Sequence, residues 1–338
     1  MQDIQFTWKG KEEAIQEAIT PTNKYLSLDI DNSKNADNTN NIVIEGDNLD
    51  ALKIMQDNYK NKIKCIYIDP PYNTNKQFLY NDKFGGHSGW LSMMYPRLKL
   101  ARTLLREDGV IFVSIDDHEV HHLRILMNEV FGEGNFVANI IWANKEGGGG
   151  SDSKNIKVKH EYILCLAKDI DQLNIQGEAS EEDSSYNKED KHVKERGRYK
   201  LIKLNSFSIQ YSKSLDYEII SPENTIIVAS ENNKKGCWRW SKEKFQWGVK
   251  NDFIEFQKRG NNWVVYTKQY FKVDNECRQI IRRLPPIALI EKYSSTMATK
   301  QYMELMKKKF FDYPKPVSLI KHLIQISTKP GDIILDFF

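Results

Sequence analysis

The residues with the clearest chemical potential are Asp69-Pro-Pro-Tyr72, which directly follow the apolar run Lys62-Ile-Lys-Cys-Ile-Tyr-Ile68. Proline has no N–H to give to a strand ladder, so two in succession end a strand and stiffen the loop behind it. The spacing therefore predicts a rigid loop, closed by Pro71, with the Asp69 carboxylate and free backbone carbonyls at the end of a buried strand. Such acceptors suit a planar exocyclic amine like that of adenine, whose lone pair is delocalised into the ring. Accepting its protons at Asp69 and at the Pro70 carbonyl localises the lone pair and aims it at an electrophile. Tyr72 supplies a ring to stack on the base, which has to leave the duplex to be reached.

The flanking sequence predicts the elements that hold this loop. Strand signals fall at 41–46, 62–68, 110–115, 136–142 and 161–166, and helical periodicity at 49–55, 90–106 and 117–130. Glu107-Asp-Gly109 reads as a turn, and Val120, Leu123, Met127 and Val130 form one apolar stripe. Alternation of this kind predicts an α/β fold, a doubly wound sheet with helices on both faces. Ligands of such sheets lie beyond the carboxyl ends of the strands, where Asp47 and Asp69 both fall. Asp47 either caps the helix after it or contacts a cofactor adenine.

Composition narrows the class. Of 338 residues, 40% are hydrophobic and 28% charged, the balance of a folded, soluble chain, and no apolar run approaches membrane-spanning length. Four separated cysteines without a Cys-x-x-Cys pair favour the cytoplasm over a disulfide framework or a structural zinc site. The net charge of +3 hides an asymmetry: residues 231–310 hold 18 Lys/Arg against 8 Asp/Glu. The same stretch holds Trp238, Trp240, Trp247 and Trp263, four of the seven tryptophans. Basic residues interleaved with aromatics suit nucleic acid, because charge holds phosphates and rings stack on bases. An acidic segment at 169–191 reads as an exposed linker or loop. The final apolar run, Asp332-Ile-Ile-Leu-Asp-Phe-Phe338, reads as a strand at which the sequence has been cut.

Asp69-Pro-Pro-Tyr72 is identical to the catalytic motif of amino-methyltransferases acting on DNA, and Tyr67-Ile-Asp-Pro-Pro-Tyr-Asn-Thr74 resembles the modification (Mod) subunits of type III restriction–modification systems. The likeness runs through Phe6-Thr-Trp-Lys-Gly-Lys-Glu-Glu-Ala14, which looks like the family's opening, and through Gly46-Asp-Asn-Leu49. It continues in Trp90-Leu-Ser-Met-Met-Tyr-Pro-Arg97, Gly109-Val-Ile-Phe-Val-Ser-Ile-Asp-Asp117 and His160-Glu-Tyr-Ile-Leu164. Gly236-Cys-Trp-Arg-Trp-Ser241 is similar to the target-recognition region, and Lys315-Pro-Val-Ser-Leu-Ile320 to the element before the cofactor loop. Asn75 departs from the family's usual Gly.

The resemblance implies a circularly permuted, Rossmann-like methyltransferase sheet with an inserted mixed α/β target-recognition domain. It places the catalytic half at 1–168, target recognition at 169–310, and the start of the S-adenosylmethionine-binding half at 311–338. It also implies an adenine-N6 DNA methyltransferase, the modification component of a type III system, using S-adenosylmethionine on double-stranded DNA. The catalytic residues are then Asp69, Pro70, Pro71 and Tyr72. The cofactor residues are Asp47, Lys315, Pro316, Ser318, Asp336, Phe337 and Phe338, and the DNA contacts are Trp238, Arg239 and Trp240. A homodimer and a restriction subunit as partner follow by family analogy. The alternatives are cytosine-N4 methylation, or a truncated, non-catalytic DNA-binding or assembly fragment. No Cys follows a Pro, so the covalent carbon-5 cytosine mechanism finds no support. No metal site is expected: His118, His121 and His122 read as a solvated or dimer-facing surface opposite the apolar stripe. Gly147-Gly-Gly-Gly150 reads as a flexible active-site or DNA-contacting loop.

Overall fold

The structure is a computed structural model that describes residues 5–74, 82, 84–145, 155–179, 184–230, 234–308, 311 and 313–338. The expectations for Asn75 and for Gly147–Gly150 lie outside the described residues. The chain divides into two compact units, one of residues 1–177 and 285–338 and the other of Glu178–Leu284.

The first unit opens with α1 (Lys11–Ile19) and α2 (Asn48–Tyr59), then β1 (Ile63–Ile68), α3 (His87–Leu104), β2 (Leu105–Ile115) and α4 (Val120–Phe131). β3 (Phe136–Trp142) and β4 (Glu161–Ala167) complete its first segment. The second unit holds β5 (Tyr199–Lys203), α5 (Lys242–Lys250), β6 (Ile254–Arg259) and β7 (Asn262–Tyr270). The chain then returns to the first unit with β8 (Leu289–Ile290), α6 (Ser295–Met306), α7 (Val317–Ser327) and β9 (Ile333–Leu335).

Six strands form the central sheet in the order β8-β3-β4-β2-β1-β9. β1 pairs in parallel with both β2 and β9, β8 runs parallel to β3, and β4 is antiparallel to β2 and β3. Every residue of β1 is buried, because successive side chains enter different cores. Ile66 and Ile68 join Ile111, Val113 and Leu164 under α1–α4. Cys65 and Tyr67 join Phe112, Ile163 and Cys165 beneath Leu319, Leu323 and Ile326 of α7. Helices thus cover both faces of the sheet, as the alternation predicted.

Three local expectations change. Residues 41–46 are not a strand; Ile42 and Val43 are exposed, and the place beside β1 belongs to β9. The turn at 107–109 is a bulge inside β2, since Ile63 pairs with Leu105 but Cys65 already pairs with Val110. The helix expected from 117 starts at Val120, so His118 lies in the preceding turn, where its Nδ1 meets Asp116.

The second unit is narrower than the expected recognition region of 169–310. Its upstream boundary moves because Leu173 and Ile175 pack on the central sheet's second core and Gln176 N–H donates to the Ile326 carbonyl. Downstream, β8 pairs with Ile141 and Trp142, so residues 285–310 also fall in the first unit. Within the second unit, β6-β7-β5 form an antiparallel sheet, and Ser241 caps α5 through the Lys244 N–H. Trp238, Val265, Ile219 and Leu204 form its main core.

Leu123 on α4 is fully buried among helices and sheet. Leu123→Ala removes apolar contacts and leaves a cavity, so it is expected to destabilise the protein by about 2–5 kcal/mol. Urea unfolding of the two proteins checks this.

Candidate active site

β1 ends at Ile68, and the following loop is fixed from several sides. Trp90 is fully buried and donates its indole N–H to the Pro71 carbonyl at 2.7 Å. Asn73 takes a left-handed backbone (φ 58°), which Asn tolerates better than most residues. The buried Asp82 carboxylate accepts the backbone N–H groups of Asn73 and Thr74, both at 2.8 Å. Asn73 Nδ2 donates to the buried Glu119 at 2.6 Å. These bonds hold the Asp-Pro-Pro-Tyr segment as a preformed loop at the carboxyl edge of the sheet.

The centre of the site is ionic. Lys315, just before α7, places Nζ 3.0 Å from Asp69 Oδ2 and 3.4 Å from Glu161 Oε2. It also donates to the Tyr72 hydroxyl at 2.8 Å, and that hydroxyl donates to Glu161 Oε2 at 3.1 Å. Glu161 is held on its other oxygen by Asn144 Nδ2 at 2.6 Å. The Lys315 ammonium lies over the rings of Tyr72 and Trp142, an added cation–π attraction. Asp69 Oδ1, by contrast, is buried and has no hydrogen-bond partner among the described residues. One oxygen of the carboxylate is held by Lys315, and among the described residues the other is an open acceptor.

The protonation states follow from the surroundings. Burial alone would lower the Lys315 pKa, but Asp69 and Glu161 overcome it and hold the ammonium above the ordinary lysine value. Burial, with the charges of Asp69 and Glu161, holds the Tyr72 phenol well above its usual value. Tyr67 is also raised, chiefly by burial, and its hydroxyl meets Ser114 Oγ at 2.9 Å. At neutral pH the site therefore holds a charged lysine and neutral phenols.

The sequence-predicted residues sort as follows. Asp69, Pro70, Pro71 and Tyr72 lie in one loop, and Lys315 meets that loop through Asp69 and Tyr72. Asp47 caps α2, with Oδ1 accepting the N–H groups of Leu49 and Asp50, while Oδ2 stands 3.7 Å from Arg97. Pro316 is buried at the start of α7, and Ser318 Oγ contacts Met297 Sδ. Asp336 follows β9, and β9 lies directly beside β1. Phe337 packs into the first core and its carbonyl accepts from Asn48 Nδ2 at 2.6 Å, whereas Asp336 and Phe338 stay exposed.

One expected DNA contact fails. Trp238 is only 2% exposed, and its indole donates to the Tyr217 carbonyl, so it serves the core of the second unit. Arg239 next to it is exposed, and Trp240 is partly buried in the packing of that core. Sequence reasoning also missed the roles of Glu161, Asn144, Trp90 and Asp82. Glu161 and Trp90 lie inside quoted motifs, but only the fold reveals that they meet the catalytic loop.

The chain matches the DNA methylase family of N6 and N4 methyltransferases over residues 63–338. It is 34% identical to the EcoPI Mod subunit of a type III restriction-modification enzyme from Escherichia phage P1, covering 98% of this chain and 58% of that protein. It is 30% identical to the StyLTI Mod subunit of Salmonella typhimurium, covering 99% of this chain and 54% of the relative. The type II methyltransferase M.KpnI of Klebsiella pneumoniae is 31% identical, with 89% of this chain and 75% of the enzyme aligned. The chain thus spans somewhat more than half the length of the two Mod subunits. With the Asp-Pro-Pro-Tyr loop at the end of β1 and the match running from β1 to Phe338, the chain belongs to the N6/N4 DNA methylase family.

Proposed function

We propose that the chain transfers a methyl group from S-adenosylmethionine to adenine N6 in double-stranded DNA, as the modification component of a type III restriction–modification system. The observation that carries this proposal is the divided Asp69 carboxylate: Oδ2 bound to Lys315 and Oδ1 buried without a partner among the described residues. A buried acceptor without a donor is costly, and an exocyclic N–H is the group it lacks. With Oδ1 accepting one N–H and the Pro70 carbonyl the other, the amine lone pair turns out of the ring plane. Lys315 keeps Asp69 from rotating, and Trp90 keeps the Pro71 carbonyl in place. Positioning and electrostatics then supply most of the rate, without a covalent enzyme intermediate.

The exposed Asp336 carboxylate and Phe338 ring at the end of β9 fit S-adenosylmethionine, offering an acceptor for its ammonium and a face for its adenine. When bound, the cofactor supplies an electrophilic methyl group. Asp336 and Phe338 hold and orient it, and Asp69 presents the amine. Tyr72 stacks on a base flipped from the duplex while its hydroxyl stays tethered to Lys315 and Glu161. Arg239, with the exposed Lys234, Lys235 and Lys242 near it, contacts DNA. The protein works as a homodimer, pairs with a restriction subunit and acts in the cytoplasm. No helix among the described residues is long and apolar enough to cross a membrane.

Two outcomes follow. Asp69→Ala abolishes adenine methylation, cutting the rate at least 100-fold, while S-adenosylmethionine affinity stays within about twofold. Nucleoside analysis of DNA treated with each protein, alongside calorimetry with the cofactor, measures both. Retained N6-methyladenine formation refutes the mechanism, and N4-methylcytosine as the product refutes the assigned base. The raised Tyr72 pKa means that its neutral form persists to higher pH than that of an ordinary tyrosine, which ionises near 10. Alkaline absorbance titrations of the native protein and of Tyr72→Phe are therefore expected to superimpose up to the ordinary tyrosine value near pH 10. A step lost from the variant below that pH contradicts a neutral phenol in the site.

A further inference from the structure

A second cluster lies behind the catalytic loop. Glu119, in the turn before α4, is completely buried, yet among the described residues its ion-pair partners are two imidazoles rather than a lysine or arginine. His87, at the start of α3, places Nδ1 2.8 Å from Glu119 Oε1, and His122 of α4 places Nδ1 2.9 Å from Oε2. The two rings stand 4.2 Å apart, tilted by 32°, with both Nδ1 atoms turned to the same carboxylate. Despite the short distance, Glu119 Oε2 and His122 Nδ1 are buried without a hydrogen-bond partner among the described residues.

Protons alone account poorly for this arrangement. Two imidazolium ions stacked at that distance would repel, and a single one neutralises the carboxylate but leaves Glu119 Oε2 and His122 Nδ1 unjoined by a hydrogen bond. A divalent cation resolves both difficulties, since neutral imidazoles and a carboxylate are the donors it takes. The three ligand atoms lie within 4.8 Å of one another. Donors around a tetrahedral zinc ion at about 2.0–2.1 Å stand roughly 3.4 Å apart, so the carboxylate–imidazole contacts need open by only about half an ångström.

We propose that His87, Glu119 and His122 bind a divalent transition-metal ion of the zinc class. The ion leaves one coordination position to water and ties the start of α3 to the start of α4. Asn73 Nδ2 keeps its bond to Glu119 and becomes an outer-shell partner, so the metal clip fixes the loop that carries Asp69 and Tyr72. The sequence pointed away from such a site because His118 and His121 drew attention to the helix itself. The third ligand stands 32 positions before Glu119, on another element.

The test uses the full chain stripped with a chelator and titrated calorimetrically with Zn2+, and in parallel with Co2+ followed by visible absorption. The expected result is one ion per chain, a rise in thermal midpoint on adding zinc, and a cobalt spectrum of low-symmetry coordination. His87→Asn and His122→Asn are expected to weaken binding at least tenfold each and to erase the cobalt bands. Thermal unfolding of the variants in chelator shows that they fold. Absence of saturable binding at micromolar zinc, or unchanged affinity in the folded His87→Asn/His122→Asn double variant, overturns the site.

Discussion

The ammonium of Lys315, 3.0 Å from Asp69 Oδ2, is the constraint on which the catalytic centre depends. A lysine this deep in the protein is costly unless its charge is met, and here Asp69, Glu161 and the Tyr72 hydroxyl meet it together. The contact joins the loop after β1 to the segment that opens α7, which lie 243 residues apart between Tyr72 and Lys315. It also divides the Asp69 carboxylate into a tethered oxygen and an open one. On the proposed function, the open oxygen can accept a substrate N–H without swinging away, because Lys315 has already ordered the carboxylate.

The sheet makes that ion pair possible. Because β1 is buried on both faces, its two side-chain rows enter two separate cores, and the strand has little freedom to shift. Parallel partners on either side bring the ends of β1 and β9 to one edge, where Asp69 and Asp336 emerge beside each other. α7 packs on the face that carries Cys65 and Tyr67, which delivers Lys315 to the same edge. Asp69, Lys315 and Asp336 thus come from three segments aligned by a single strand.

Much of this arrangement was legible in the sequence, and the exceptions have physical causes. The apolar run ending in Asp-Pro-Pro-Tyr is self-announcing, because prolines end a strand wherever they occur. Lys315 was visible only as part of a motif, since nothing local tells that its ammonium crosses to Asp69. Residues 41–46 misled because apolar alternation marks a strand only when a neighbour is free to pair, and β9 holds that position. Trp238 misled because basic, aromatic sequence describes both a nucleic-acid surface and the wall of a small core; its buried indole decides for the core. Glu119 gave no signal, because its partners His87 and Asn73 lie on separate elements.

The central claim is that Asp69 and Lys315 act as one unit, and a double-mutant cycle on unfolding free energy tests it most directly. Asp69→Asn, Lys315→Met and the double variant are compared with the native chain by urea denaturation. The predicted coupling between the two sites is about 1 kcal/mol or more, with the double variant less destabilised than the sum of the single ones. Effects that add to within about 0.3 kcal/mol would contradict the account, because the two side chains would then be independent.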